Sequence, residues 1–496
     1  MENRATLTNM AAGLWLQLCL ILNGLIFPQL ILRYFGSEAN GLVASINQFL
    51  GYFALAEGGL TAVISAALYK PLVQGDNGAL STVLVTARRF YSRIGCMFAL
   101  YILSLMVFYP LASGLAFDRT APLIAILGSS GLISFLFVRT CQVLLAADQR
   151  RYVAALVLSL STLLGTLLAV LAVPVCPNLL LLLALQTLPL ILQPLLLRGY
   201  VRKHYTIDWG AAPDNSLSAQ RFNGFAINLA AVIHNSTDII VLTLFTDLRT
   251  VSVYSVYALA VAGMKALILS MTDGISSVIG LTYAGGCWEK LEEKMDLYEY
   301  TIFLLIFVLF GVGSLLITPF VSLYTKGITD APYDQPLLGI LLILAEAFYL
   351  SSRPNVDLAH GANRFQEISK PACLEPVINL TLSLILVKPL GLTGVAAGTA
   401  AAMLFRMVFY ASYAKKLMQG RRPVLYFGRF GIFAAAGILS AMLCRFLFPF
   451  SGSTFISWIQ YGSLYCAIFI GISAVISLLF FRRELRYIAR YLIPAK

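Results

Sequence analysis

The chain has 496 residues, 59% of them hydrophobic and 12% charged, with a mean hydropathy of +0.83, whereas a soluble domain carries about 25% charged residues. This balance excludes an ordinary soluble architecture and leaves little chain for an extramembrane domain. The formal charge of +12 comes from basic residues strung between apolar runs rather than gathered in one domain, so it reports topology in a membrane and not an affinity for nucleic acid.

Apolar runs of roughly 20 residues cross a hydrocarbon core about 30 Å thick as helices. A transmembrane β-barrel would need segments of about ten alternating residues, which the unbroken apolar run Leu179–Leu185 contradicts. Fourteen spans are expected, in chain order 10–32, 40–68, 90–115, 121–146, 152–174, 178–200, 222–245, 250–284, 298–324, 332–359, 370–388, 391–412, 424–450 and 455–481. The first, from Met10 to Leu32, has no small-residue cleavage site and reads as a span rather than a removable signal. The longest two, 40–68 and 250–284, must tilt or project past the bilayer. The fold class is an all-α integral membrane protein.

Basic residues in short loops are retained in the cytoplasm. With the N-terminus inside, the inner segments collect Arg88, Arg89, Arg93, Arg150, Arg151, Arg198, Arg202, Lys203, Lys415, Lys416, Arg421, Arg422 and the Arg482–Lys496 tail, and in total most of the 35 basic residues. Both termini are therefore expected in the cytoplasm. The eight cysteines include no CxxC spacing, so neither a disulfide framework nor a zinc site is indicated.

A shift of 214 residues superimposes the two halves. Phe135, Arg139, Gln149 and Arg150 fall on Tyr349, Arg353, Asn363 and Arg364, and Arg202 falls on Lys416. With a two-residue slip Glu57-Gly58 falls on Asp273-Gly274. Since inner ends map onto inner ends, the repeat is parallel. The implied layout is a six-helix lobe over 1–204, a cytoplasmic linker over 205–221, a second six-helix lobe over 222–420, and two further spans with a basic tail over 421–496.

Four cations lie within spans: Arg139, Lys265, Arg353 and Arg406. Intramembrane charges face a bundle interior or a wet cavity, and four of them turned to one cleft would capture a phosphate or pyrophosphate, which suits the guanidinium fork. The alternative is snorkelling, or structural pairing with Glu346, Asp357 or Glu375. Glu57, Asp238 and Asp273 are candidates for coupling to a sodium ion or proton, no other cofactor being indicated. His234 sits four residues before Asp238 and so shares its helix face, as a proton relay or as a structural pair.

No enzyme is expected. His204, His234 and His360 lack the His-x4-Asp spacing of lipid acyltransferases, every outer loop is too short for a glycan polymerase, and no Walker A pattern is present. A small-cation drug exporter and a membrane glycosyltransferase or acyltransferase stand as rivals; the first should want an acidic or aromatic cavity.

The segments from Leu32 to Leu42, from Leu55 to Leu60 and from Tyr69 to Leu72 resemble the first two spans of Wzx-type polysaccharide repeat-unit flippases. So do Asn235-Ser236-Thr237-Asp238 and the run from Val387 to Thr399, and the likeness extends over essentially the whole chain. This family belongs to the multidrug/oligosaccharidyl-lipid/polysaccharide exporter superfamily, which also holds lipid II flippases and spore-wall relatives. The resemblance implies two six-helix lobes, a cation-lined cleft and alternating access in the bacterial plasma membrane. It implies as cargo an undecaprenyl-pyrophosphate oligosaccharide bound for capsule or other cell-wall glycans. Arg139, Lys265, Arg353 and Arg406 would be its headgroup contacts, with membrane lipids, glycosyltransferases and a polymerase of one pathway as partners.

Overall fold

The computed structural model describes residues 2–53, 60–214, 237–418 and 421–492, and among these no strand occurs. The helices are α1 (Glu2–Gly51), α2 (Leu60–Gln74), α3 (Asn77–Ser113), α4 (Phe117–Ile133), α5 (Arg139–Ala147), α6 (Arg151–Ala172), α7 (Leu179–Thr187) and α8 (Leu192–His204). They continue with α9 over 237–245, then α10 (Leu248–Ala284), α11 (Trp288–Leu305), α12 (Gly311–Tyr324), α13 (Pro336–Gly361), α14 (Phe365–Leu390), α15 (Leu392–Leu417), α16 (Pro423–Leu447), α17 (Phe455–Phe480) and α18 (Arg482–Leu492). One turn of π-helix joins α4 to α5 and another joins α11 to α12, while a 3-10 turn joins α7 to α8, so each of these pairs makes a single crossing.

Twelve helical stretches among the described residues are long and apolar enough to cross a membrane, and the chain is a multi-pass membrane protein. The first stretch, Thr8–Gly51, holds the first expected span and the opening of the second, with a break between them at Gly36, whose φ of 81° and ψ of −179° are open only to glycine; the second span continues through 54–59, outside the described residues, and ends in α2. Several helices outrun the apolar segments that announce them. The third expected span begins at 90, yet α3 starts at Asn77, where the Asp76 carboxylate accepts from the Ala79 N–H at 2.9 Å. The ninth is expected from 298, yet α11 starts at Trp288. Hydropathy marks the part of a helix that meets lipid, and polar turns with capped or solvated backbone continue beyond it.

The described residues pack as two compact units, Met1–Ser252 and Val253–Lys496, with α10 entering the second after its first turn. In the first unit, Phe53, Phe98, Tyr101 and Phe135 form one aromatic cluster, with neighbouring ring centroids from 4.7 to 6.4 Å apart. Polar pairs stitch α1 to α9 and the start of α10: Asn40 donates to Ser252 at 2.8 Å, Thr243 to Ser45 at 2.8 Å, and Tyr52 and Thr237 share a bond of 3.1 Å. In the second unit, Phe303, Phe307, Phe433 and Phe469 make the corresponding aromatic core.

The repeat has a backbone signature. Gln149 and Asn363, separated by the predicted shift of 214, are the non-glycine residues with positive φ among those described, each at 55°. Around them the bonds match: Arg150 N–H donates to the Leu145 carbonyl at 2.7 Å and Gln149 N–H to Ala146 at 3.3 Å, while Arg364 donates to Ala359 at 3.2 Å and Asn363 to His360 at 3.0 Å. Both are left-handed helix terminations of one type, and each turns the chain straight into the next helix.

Candidate functional site

The four predicted cations are divided between the units: Arg139 in the first, and Lys265, Arg353 and Arg406 in the second. Arg139 opens α5 directly after the π-turn, with its guanidinium 5.7 Å from the Phe135 ring centroid. Where Arg353 has an acid one helical turn on, Asp357, the shift of 214 places the buried Val143 after Arg139.

In the second unit, α13 carries an acid, a ring, a hydroxyl and a base at positions 346, 349, 352 and 353, so that successive turns offer polar groups to their neighbours. The Lys265 ammonium, from α10, meets the Glu346 carboxylate at 2.9 and 3.0 Å and lies 4.2 Å from the centroid of the Tyr349 ring. Arg406, from α15, binds Glu375 of α14 at 2.7 Å and donates through Nε to the Ser352 hydroxyl at 3.0 Å. Its guanidinium carbon is 5.0 Å from the same Tyr349 ring and 5.4 Å from that of Tyr410. Two cations thus share one tyrosine face system. Of the four cations expected at one cleft, the structure gathers these two at one ring, and each is matched by a carboxylate.

Arg353 keeps a looser partner, with Nε 3.8 Å from Asp357, whose Oδ2 also accepts the Tyr298 hydroxyl at 2.8 Å. The sequence alone points to Glu346, Asp357 and Glu375 as candidate partners of these bases. Tyr298 and Ser352 carry no sequence signal, since an isolated hydroxyl in an apolar helix has no distinguishing spacing.

The helices that hold this group approach closely. A Cβ on Gly394 would stand 2.2 Å from the Leu386 carbonyl oxygen, and one on Gly398 would stand 2.7 Å from the Ser383 hydroxyl. The Gly394-x3-Gly398 spacing therefore sets α15 against α14. Just there the Asn379 side-chain oxygen accepts from Ser383 at 3.0 Å and Thr399 at 3.3 Å, with the Val395 carbonyl 3.4 Å from the Ser383 hydroxyl. These neutral oxygens are of the type hard cations take. No cluster of three His, Cys, Asp or Glu side chains suited to a metal occurs among the described residues.

Of the coupling candidates, Asp238 is buried at the start of α9. Asp273 lies in α10, its side chain outside the described set, and Glu57 and His234 fall outside the described residues.

Sequence reasoning also missed a second ionic group, in the middle of α11. Asp296 and Glu299 are one helical turn apart and buried; Arg429 reaches Asp296 at 2.7 Å, Glu299 at 3.4 Å and Glu484 of α18 at 3.1 Å, and Arg421 pairs with Glu299. The i,i+3 acids were legible; arginines more than a hundred residues later were not.

No protein-family model matches the chain, and no curated protein matches it in sequence. Solved structures do match in fold. The lipid II flippase MurJ in an inward closed conformation has a TM-score of 0.71 at 15% identity, covering 96% of this chain and 99% of its own. An inward-facing multidrug resistance MATE family transporter of the MOP superfamily has a TM-score of 0.62 at 16% identity, covering 87% and 96%. The MATE multidrug transporter DinF-BH has a TM-score of 0.60 at 12% identity, covering 84% and 94%. The chain has the fold that this flippase and these transporters share, over nearly its whole length.

Proposed function

We infer that the chain is a flippase which moves an undecaprenyl-pyrophosphate-linked oligosaccharide from the inner to the outer leaflet of a bacterial plasma membrane, with both termini cytoplasmic. The observation that carries this reading is the pair Lys265 and Arg406 around Tyr349, two cations inside membrane spans, each balanced by a single carboxylate.

Removing either carboxylate in a low-dielectric interior without a substitute strands a cation at a cost of several kcal/mol. A diphosphate is such a substitute: it replaces Glu346 and Glu375 anion for anion, and its oxygens fit the guanidinium fork of Arg406. Release outside reverses the exchange. The polar glycan occupies wet space in this scheme while the lipid tail stays in the bilayer. The fold shared with a lipid II flippase is consistent with it, and pathway enzymes that make and polymerise the repeat unit are the expected partners.

The test is translocation of a fluorescent polyprenyl-diphosphate oligosaccharide in proteoliposomes. Wild type should transport it, and Lys265→Ala/Arg406→Ala should lose at least tenfold in rate; a cargo without the diphosphate should not move. The carboxylates Glu346 and Glu375 beside an aromatic ring also suit an organic cation, the second reading. Uptake of a lipophilic dye cation by the same vesicles, with no transport of the diphosphate cargo, selects that reading and removes the first.

A further inference from the structure

We propose that the first unit holds a separate binding site for a phosphate ester, in a pocket between α3, the π-turn with the start of α5, and α8. The pocket has a volume of about 610 Å³ and is lined by three arginines, Arg88, Arg198 and Arg202, with Trp209, Phe137 and Tyr205 between them. No carboxylate is among its lining residues, in contrast to the second unit, where every cation of the site is matched.

Sequence makes this pocket in three steps. Arg198 and Arg202 are four apart on the last turns of α8 and so project from one face. The chain then leaves the helix at Tyr205 and is fastened back onto α3: Asp208 N–H donates to Ser81 at 2.9 Å and Asp214 N–H to Thr86 at 2.8 Å. That return brings Trp209 over Arg88, with 5.3 Å from guanidinium carbon to ring centroid, while Phe137 lies 5.0 Å from Arg198. Aromatic faces hold two of the guanidinium groups in place without neutralising them. Nearby acids already have partners: Asp148 accepts from the lining Tyr205 and pairs with Arg150 at 3.0 Å, and Asp208 accepts the Gly210 N–H at 2.9 Å. Burial and the Asp148 carboxylate push the Tyr205 phenol well above its usual range, so it stays neutral, its hydroxyl donated to Asp148. The buried Cys141 and Val201 close the floor.

Three uncompensated guanidinium groups converging on one concavity fit a tetrahedral anion of charge −1 to −2, which they can bind by forked hydrogen bonds. The apolar and aromatic share of the wall fits the ester carbon next to it. This site goes beyond the transport reading and uses none of its residues. Two sources carry that phosphate chemistry, a membrane lipid headgroup and a soluble phosphate ester, and they are separable by experiment.

Trp209 supplies the readout. Purified full-length protein in neutral detergent is titrated with dioctanoyl phosphatidic acid, with inorganic pyrophosphate and with dioctanoyl phosphatidylcholine, following tryptophan emission and, in parallel, ligand retention by native mass spectrometry. Binding of the first or second probe, but not of the zwitterionic third, supports the site. Binding of the lipid alone identifies a headgroup site, and binding of pyrophosphate as well identifies one open to soluble phosphates. Arg198→Gln/Arg202→Gln should weaken binding at least tenfold, Lys203→Gln on the neighbouring outward face should leave it unchanged, and Trp209→Phe should abolish the emission change while ligand is still retained. Thermal unfolding of each variant guards against misfolding. No saturable binding of either anion, or equal affinity in the double variant, overturns the proposal, whatever the transport assay gives.

Discussion

At the scale of single residues, the chemistry of the second unit depends on charge matching in a place that does not tolerate an odd charge. The Glu375 side chain is 2% exposed and that of Arg406 12%. Arg406→Ala leaves Glu375 buried without its ion-pair partner, and truncating one partner of such a pair costs about 3–5 kcal/mol. Thermal unfolding in detergent should therefore show a large drop for Arg406→Ala and substantial recovery in Arg406→Ala/Glu375→Ala; equal losses in the two would mean the pair is not the source of the effect. Gln149 is the opposite case, a residue in a conformation that suits it poorly. Left-handed φ costs a β-carbon residue about 1–2 kcal/mol, so Gln149→Gly should raise stability by up to about 1 kcal/mol, read from the same melting curves. Asn363→Gly should gain less, since asparagine tolerates this region better. These two positions also show what sequence could deliver. The shift of 214 paired them without any structure, but that they share a left-handed turn followed only from the backbone.

At the scale of elements, spans were legible because lipid imposes a length and a composition on each of them. Their ends were not, because the polar turns of α3 and α11 obey capping and solvation rather than hydropathy. Nor was the partnership of α14 with α15 visible in hydropathy, since it rests on Gly394 and Gly398, whose missing side chains let backbone meet backbone. Gly398→Leu places new atoms against Ser383 and Asn379 and should separate the two helices, at a cost of about 1–3 kcal/mol. It should also slow translocation, because Glu375 and Arg406 sit on those same two helices. Gly263→Leu, where a Cβ meets open space within 4 Å, is the matched control and should be near neutral in stability.

At the scale of the whole molecule, the all-helical, multi-pass architecture could be read from composition and the recurrence of apolar runs. The division of labour between the units could not. Four bases within spans suggest one positive cleft on paper; in three dimensions the second unit matches its bases with acids, while the first keeps three unmatched arginines in the pocket lined by Trp209. Pairing across 31 to 133 residues of sequence leaves no periodic trace, so long-range ion pairs are the part of such a protein that a single sequence hides best.

The acid pair on α11 has a consequence for how the chain is made. Asp296 and Glu299 are synthesised 133 and 130 residues before Arg429, which with Arg421 reaches both. At about 5–20 residues per second they wait roughly 7–27 s in the nascent protein without it. During that interval α11 enters the bilayer with two carboxyl groups and no counter-charge, which is tolerable only if they stay at the watery end of the helix or enter protonated. Arginines made more than a hundred residues later thus complete an insertion begun much earlier. A chain ending at residue 418 should be unstable in cells and removed by membrane proteases, as pulse-chase labelling would record, and Asp296→Asn/Glu299→Gln should lengthen the lifetime of that truncated chain while shortening that of the full one.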